Sequence, residues 1–176
     1  NDLWVGVGGS GLFRRDSPTG RFEAFRHDPA VRTSLSGDYV TALLAAPGDR
    51  LWVGTRSNGL NRCRLAPFAC ERFDGREPGA PSLGHHFVTA LRTDHDGNLW
   101  IATSGGGLRR AQFGENGRVL GFDRWGTAEG LPSDGVMSLE SDSDGSLWVA
   151  TRNGLTRLNP ATGHVVNHVP QSGLLV

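Results

Sequence analysis

The segment Leu51-Trp52-Val53-Gly54-Thr55 recurs along the chain, and this repetition constrains the fold more than any other feature. Its four copies lie at residues 3–7, 51–55, 99–103 and 147–151, with the tryptophans at positions 4, 52, 100 and 148. A constant spacing in this range is typical of stacked structural repeats. The chain is therefore expected to consist of four similar units.

Each copy has the local pattern of a β-strand. Leu-Trp-Val/Ile is a short β-branched and aromatic run that glycine or alanine closes. Because side chains alternate along a strand, the small residue two places after each tryptophan predicts close packing on that face. A Gly-Leu-x-Arg run follows as a hairpin partner. With the strands predicted at residues 21–26 and 39–44, each unit has four short strands, as in a β-propeller blade.

Composition excludes two classes of partner. Lys and Arg number 18, as do Asp and Glu, so the formal net charge is zero. No net field favours nucleic acid or an anionic membrane surface. Only 37% of the residues are hydrophobic, and no apolar run approaches the ~18 residues of a membrane span. We therefore expect an all-β chain without membrane contact by this segment.

The repeats resemble those of the two-component regulator propeller family. Residues 94–110 and 142–157 follow its pattern, Asp-x-x-Gly-x-Leu-Trp-(Val/Ile)-(Gly/Ala)-Thr and then Gly-Leu-x-Arg. The resemblance implies a periplasmic, non-enzymatic, ligand-sensing domain of a hybrid histidine kinase, with the kinase downstream. It also implies an unknown small molecule or oligosaccharide as partner, and no cofactor.

The number of predicted strands describes an incomplete ring. The resemblance makes the fourth strand of each unit the innermost, and the first unit lacks it. Residues 1–176 are thus expected to form a single partial β-propeller domain of about 3.7 blades, whereas closed propellers have about four to eight. Either further blades of a longer chain or another copy would complete the ring. We favour a fragment of a longer chain.

The repeated tryptophans have two interpretations. Trp4, Trp52, Trp100 and Trp148 are candidates for sugar-stacking platforms or for the core between blades. Burying a tryptophan removes ~150–250 Å² from water, and identical placement in every unit favours a structural role.

The chain has two cysteines, Cys63 and Cys70, on either side of Ala66-Pro67. A hairpin there would bring them near each other, and an oxidising periplasm permits a disulfide. The other units suggest a five-residue turn that offsets the register. A disulfide and two free thiols both stay open.

Metal binding and catalysis receive little support from the sequence. His85 and His86 are adjacent and would point to opposite faces of a strand. The aspartates of the inner hairpins, such as Asp94 and Asp142, suit tight turns, and one hairpin does not supply the six to eight oxygens that calcium needs. We therefore predict no catalytic residue and no metal site.

Ligand binding is expected on loops at one face of the propeller, because a rigid scaffold positions such loops. The candidates follow the first strand or precede the innermost strand: Tyr39, Arg56, Asn58, His86, Asp134, Arg152 and Asn153. Two other functions stay open, a streptogramin-lyase-like propeller enzyme and a pure protein-interaction scaffold.

Overall fold

The structure, a computed structural model, describes residues 2–76 and 78–168. In these residues the chain forms β-strands and one short 3₁₀ helix, Thr127–Glu129. The strands build four antiparallel sheets with neighbours in simple sequence order. The chain divides into two compact units, residues 1–88 and 89–176.

The first unit contains a three-stranded and a four-stranded sheet. The first sheet has the order β1-β2-β3 and the second the order β4-β5-β6-β7. The strands are β1 (Leu3–Val7), β2 (Gly11–Arg15), β3 (Phe22–Phe25), β4 (Val40–Ala46), β5 (Arg50–Thr55), β6 (Leu60–Leu65) and β7 (Phe68–Phe73).

The third and fourth sheets have four strands each, and the boundary between the two compact units falls directly after the first residue of β8. Their orders are β11-β10-β9-β8 and β12-β13-β14-β15. The strands are β8 (Val88–Thr93), β9 (Leu99–Thr103), β10 (Leu108–Phe113), β11 (Val119–Trp125), β12 (Val136–Ser141), β13 (Leu147–Thr151), β14 (Gly154–Leu158) and β15 (Val165–His168).

Sheet-to-sheet packing explains the small residue that follows each tryptophan. A Cβ added to Gly6 would lie 2.4 Å from Cγ1 of Val40 in the second sheet. In the second unit the corresponding Ala102 is fully buried with Val136 and Val149 of the fourth sheet. Strand β1 and strand β9 therefore approach a neighbouring sheet closely, as the alternation pattern predicts.

The tryptophans differ in burial. Trp52 and Trp100 have exposed fractions of 5% and 0%, whereas Trp4 and Trp148 are half-buried. Strand β1 is the edge of its three-stranded sheet, and the Trp4 ring packs on Phe25 and Phe68. Trp148 alternates with Val149, which faces the third sheet, so its ring lies on the opposite face. A uniform burial of the four rings is therefore not observed.

A repeated side-chain ladder accounts for the arginine of Gly-Leu-x-Arg. In every sheet this arginine is the cross-strand partner of the tryptophan. The guanidinium carbon lies 5.6–5.9 Å from the indole centroid in the pairs Arg14–Trp4, Arg62–Trp52, Arg110–Trp100 and Arg157–Trp148. Such geometry gives a favourable cation–π contact.

A carboxylate completes each ladder. Arg14, Arg62 and Arg110 form ion pairs with the acid opposite them on the next strand: Glu23, Glu71 and Asp123, at 2.7, 2.6 and 3.0 Å. In the fourth sheet that position is Val166, and Arg157 pairs with Asp144 of the β12–β13 turn instead.

Cys63 and Cys70 form a disulfide in the structure. They are direct cross-strand partners, because β6 and β7 are joined by the two-residue turn Ala66-Pro67 with Leu65 opposite Phe68. The expectation of a five-residue, register-offsetting turn is wrong at this hairpin. Its tip contains a cis Ala66-Pro67 peptide bond, and cis-proline bonds in folded proteins typically lie in tight turns.

Candidate functional site

The structure joins the two kinds of candidate loop in three repeats. The glycine of Gly-Leu-x-Arg donates its N–H to a carbonyl two residues before the first residue of the inner strand, at 2.8–2.9 Å. The pairs are Gly11 to Asp38, Gly59 to His86 and Gly107 to Asp134. In these three repeats, the predicted loops therefore lie side by side.

In the first unit, Arg56 and Tyr39 form the centre of a candidate binding site. The guanidinium carbon of Arg56 lies 5.1 Å from the Tyr39 ring centroid and 5.8 Å from that of Phe87. The Arg56 N–H also donates to the Tyr39 carbonyl at 2.9 Å. Tyr39 is 45% exposed, so a flat cation–aromatic surface faces solvent. We call Tyr39, Arg56 and Phe87 the aromatic–arginine cluster.

Asn58 and His86 flank this cluster with different roles. The Asn58 N–H donates to Thr55 Oγ1 at 3.1 Å, and the Asn58 side chain packs so closely on Gly37 that any added Cβ there would lie 2.4 Å from Oδ1. The His86 carbonyl accepts a hydrogen bond from the Gly59 N–H, and the His86 side chain is exposed. Asn58 therefore supports the loop, and the imidazole of His86 is the more accessible group.

In the second unit, Arg152 and Asn153 contact neighbouring loops. Arg152 Nη2 donates to Ser104 Oγ at 3.1 Å, and its N–H donates to the Gly135 carbonyl at 3.0 Å. Asn153 Nδ2 donates to the Pro132 carbonyl at 3.4 Å. Arg152 corresponds to Arg56, but Gly135 stands where the first unit has Tyr39. The second unit therefore lacks the aromatic partner at that position.

Asp134 stabilises its own loop. Its Oδ1 accepts hydrogen bonds from Arg124 Nη2 at 2.9 Å and from the Thr127 N–H at 2.8 Å. Arg124 also pairs with Glu129 at 3.2 Å. These bonds occupy the Asp134 oxygen that faces the loop, so the structure gives this residue a scaffolding contact in addition to the predicted ligand role.

Burial lowers the pKa of Arg109, and the neighbouring charge of Arg124 lowers it further, while Asp134 and Glu129 act in the opposite direction. Arg109 and Arg124 are cross-strand partners, and like charges in that relationship repel. Within the described residues, Arg109 Nε is buried without a hydrogen-bond partner.

Sequence reasoning missed Phe87 and Arg124. Phe87 lies 48 positions after Tyr39, so alignment of the repeats contains the signal for an aromatic residue at this place. Arg124 has no comparable signal, because its role depends on the path of the loop that carries Asp134 and Glu129.

The hairpin turns carry a second group of polar residues. Burial raises the pKa of Asp94, but hydrogen bonds from Trp100, Asn98 and Asp96 outweigh it, and the net pKa is lowered. The indole hydrogen bond from Trp148 lowers the pKa of Asp142. Across residues 2–76 and 78–168, no group of three or more His, Cys, Asp or Glu side chains is arranged to hold a metal ion.

The four antiparallel sheets define the chain as a partial β-propeller. Residues 82–105 and 130–153 match the family model described as two component regulator propeller. These two segments match the repeat of that family, and the resemblance seen in the sequence is confirmed. No curated protein matches the chain.

Solved structures show the same fold. The extracellular domain of the hybrid two-component system BT3049 from B. thetaiotaomicron is similar, with a TM-score of 0.77, 21% identity, and coverage of 96% of this chain and 22% of that one. The extracellular domain of the hybrid two-component system BT4673 from the same organism has a TM-score of 0.75 and 19% identity, with coverage of 97% of this chain and 23% of that one. Virginiamycin B lyase from Staphylococcus aureus has a TM-score of 0.67 and 14% identity, with coverage of 98% of this chain and 53% of that one.

The chain thus spans about a fifth of the length of the two-component domains that it matches. In the part of the chain that the structure describes, no helix is both long and apolar enough to cross a bilayer.

Proposed function

We propose that this chain is a non-enzymatic, ligand-binding part of the sensor propeller of a bacterial two-component system. The two-component regulator propeller repeats support this assignment. The aromatic–arginine cluster carries it, because Arg56 is held against Tyr39 and Phe87 rather than in an ion pair. Its side chain has no hydrogen-bond or ion-pair partner among the described residues, so its donors are free for a ligand.

The ligand that suits this cluster is a small molecule or an oligosaccharide. An exposed tyrosine ring offers an apolar face with a polar hydroxyl, and a guanidinium offers up to five directed donors. His86, next to Phe87 in the chain, adds an accessible imidazole. Binding sites commonly combine an apolar surface with a few polar groups of this kind.

A periplasmic location and a downstream kinase are part of the proposal. The Cys63–Cys70 disulfide supports an oxidising compartment, because disulfides persist in the periplasm and are rare in the cytosol. The matched hybrid two-component domains are extracellular. We expect the remaining blades to come from a longer chain of which this is a piece, rather than from another copy.

The test is ligand screening of the chain by thermal shift with small molecules and oligosaccharides, followed by calorimetry on any hit. Arg56→Ala is expected to weaken binding at least about tenfold, as loss of one charge-assisted hydrogen bond does, and Tyr39→Ala is expected to weaken it by removing the aromatic surface. Arg50→Ala is the matched control, because Arg50 is also exposed but lies at the opposite end of β5. Equal losses in all three variants would contradict the proposed site.

The streptogramin-lyase-like alternative rests on fold similarity to a protein of 14% identity, which carries no activity to this chain. Metal-dependent turnover of a streptogramin that is lost in His86→Ala would favour it. The interaction-scaffold alternative predicts that no small ligand binds to the chain. It also predicts that a protein partner binds the Arg56→Ala variant as well as the wild type.

A further inference from the structure

The loop between β3 and β4, which we call the site loop (residues 26–39), ends at Tyr39 of the aromatic–arginine cluster. The end of this loop is tied to its neighbours. The Asp38 carbonyl accepts the Gly11 N–H at 2.8 Å, and Asp38 Oδ1 accepts the His27 N–H at 2.7 Å. The position of Tyr39 therefore also depends on what holds the rest of the loop.

Leu35, near the middle of the site loop, lies in one buried cluster with the Cys63–Cys70 disulfide. Leu35 and Cys63 are both 0% exposed, and Cys70 is 5% exposed. The Cys70 N–H also donates to the Thr33 carbonyl at 2.7 Å. The hairpin of β6 and β7 that carries the disulfide therefore holds the loop through an apolar side chain and a backbone hydrogen bond.

A second pair on this hairpin, Asn61 and Arg72, holds the same loop. The two residues are cross-strand partners, and the alternation of side chains places them on the same face as the disulfide. Asn61 Oδ1 accepts the Ser36 N–H at 2.8 Å, and Asn61 Nδ2 donates to Ser36 Oγ at 2.9 Å. Arg72 Nε donates to the Ser34 carbonyl at 2.9 Å, and Arg72 Nη2 donates to the Val31 carbonyl at 2.9 Å.

A groove of about 280 Å³ leaves the site loop room to move. Phe25, Val31, Thr33 and Phe68 are among the residues that line it. A segment with open space beside it opens locally at a lower free energy than a core strand does. The order of the loop therefore depends on its contacts with the hairpin.

The fourth sheet has the corresponding arrangement without a disulfide. Leu131 precedes its inner strand, β12, as Leu35 precedes β4, and it is 3% exposed. The places of the two cysteines are taken by Leu158 and Val165, a cross-strand pair that packs in the same cluster as Leu131. Apolar packing alone holds that loop, whereas the site loop is held by a pair whose bond depends on oxidation.

We infer that the Cys63–Cys70 disulfide is a redox-sensitive anchor of the site loop, which is ordered in the oxidised protein and loosened in the reduced one. Reduction by a dithiol transfers two electrons and two protons to the bond, so that each cysteine becomes a thiol and the dithiol becomes a cyclic disulfide. The hairpin then loses the covalent link between the two strands that hold the loop. The consequence for ligand binding at Tyr39 rests on the proposed function, but the loosening of the loop does not.

Hydrogen–deuterium exchange of the full 176-residue chain tests this anchor without a ligand. Because both cysteines are buried, the chain is unfolded in urea with or without dithiothreitol and refolded under the same redox condition. Amide exchange in residues 28–37 is expected to be at least about tenfold faster in the reduced protein, the effect of losing one or two hydrogen bonds. Exchange in residues 127–135, the corresponding loop of the second unit, is expected to stay unchanged.

Three variants separate this effect from a general loss of stability. Gly6→Ala, which overpacks the sheet contact but keeps the disulfide, is expected to leave exchange in residues 28–37 unchanged. Cys63→Leu/Cys70→Val copies the pair of the fourth sheet and is expected to keep this exchange slow with or without dithiothreitol. If the reduced chain does not refold, Cys63→Ala/Cys70→Ala replaces it and is expected to show the fast exchange without reductant.

Three results would overturn the inference. The first is equal exchange of residues 28–37 in the oxidised and reduced proteins. The second is an equal acceleration in residues 127–135, and the third is an equal acceleration in oxidised Gly6→Ala. None of these measurements involves a ligand, so they can fail or succeed independently of the ligand screen.

Discussion

Trp100 Nε1 donates a hydrogen bond to Asp94 Oδ2 at 2.8 Å, linking the two ends of the Asp-x-x-Gly-x-Leu-Trp motif. The other oxygen of Asp94 accepts the backbone N–H groups of Asp96 and Asn98 at 3.0 and 2.8 Å. One carboxylate therefore closes the hairpin turn and satisfies a fully buried indole. This double role explains why the motif begins with aspartate.

We expect Asp94→Ala to lower the free energy of unfolding by roughly 2–3 kcal/mol, because a buried indole N–H and two turn amides lose a charged acceptor. Urea unfolding followed by circular dichroism measures this change. Asp142→Ala is the matched variant, since Asp142 accepts from Trp148 at 3.0 Å in an exposed turn. A loss for Asp142→Ala as large as that for Asp94→Ala would contradict the role of burial.

The Asp94 carboxylate is expected to make the stability of the protein depend on pH. The pKa of Asp94 in the folded protein is lowered from its ordinary value of 3.8. Its contribution to stability is therefore complete above that ordinary value and is lost as the pH falls through the lower, folded-state pKa. Unfolding measured from pH 7 down to pH 2 should show the stability gap between the wild type and Asp94→Asn shrinking at the acid end. A gap that grows on acidification would contradict the assignment.

Reduction of the Cys63–Cys70 disulfide is expected to lower the free energy of unfolding by about 2–3 kcal/mol, because the bond closes a short loop of the unfolded chain. The seven-residue separation of the cysteines places this loop at the small end of the range. Denaturant unfolding with and without dithiothreitol measures the change. The stability of a Cys63→Ala/Cys70→Ala double variant should not change when the reductant is added. A change in that variant would show that the reductant acts on stability by a route other than this disulfide.

Gly6→Ala is expected to destabilise the chain by about 1–3 kcal/mol, the usual cost of overpacking a core. The new methyl would meet Cγ1 of Val40 at 2.4 Å and its Cβ at 3.0 Å, next to the Val40 backbone. Thermal unfolding measures the effect. Gly114→Ala is the control, because its nearest neighbour would be a Leu120 methyl at an ordinary 3.4 Å. Equal shifts in the two variants would argue against close sheet packing at Gly6.

Arg62→Ala should cost more stability than Glu71→Ala. The Arg62 side chain is only 15% exposed and covers the Trp52 ring, a contact worth about 1–2 kcal/mol when partly desolvated. Glu71 is 43% exposed, and exposed ion pairs contribute at most about 1 kcal/mol. A double-mutant cycle by urea unfolding separates the two terms. A larger loss for Glu71→Ala would make the ion pair, rather than the ring contact, dominant.

Strand positions were largely predictable, whereas the partners of individual side chains were not. The segment predicted at residues 51–55 is β5 (Arg50–Thr55), because the alternation of side chains and the flanking turns are local properties. The register of Cys63 and Cys70 was missed because it depends on whether the hairpin turn has two residues or five. The stacking of Arg56 on Phe87 was missed because the two residues lie 31 positions apart and meet only through the fold.

The repeated motif alone determined that the chain folds into antiparallel sheets of a propeller, since each copy contains its own strand and turn signals. Tertiary structure alone decided which copy of the tryptophan is fully buried, which arginine rests on aromatic rings and which loop opens a groove. Those outcomes depend on what the neighbouring sheet and loops present at each position, and a pattern shared by all four units cannot contain that difference.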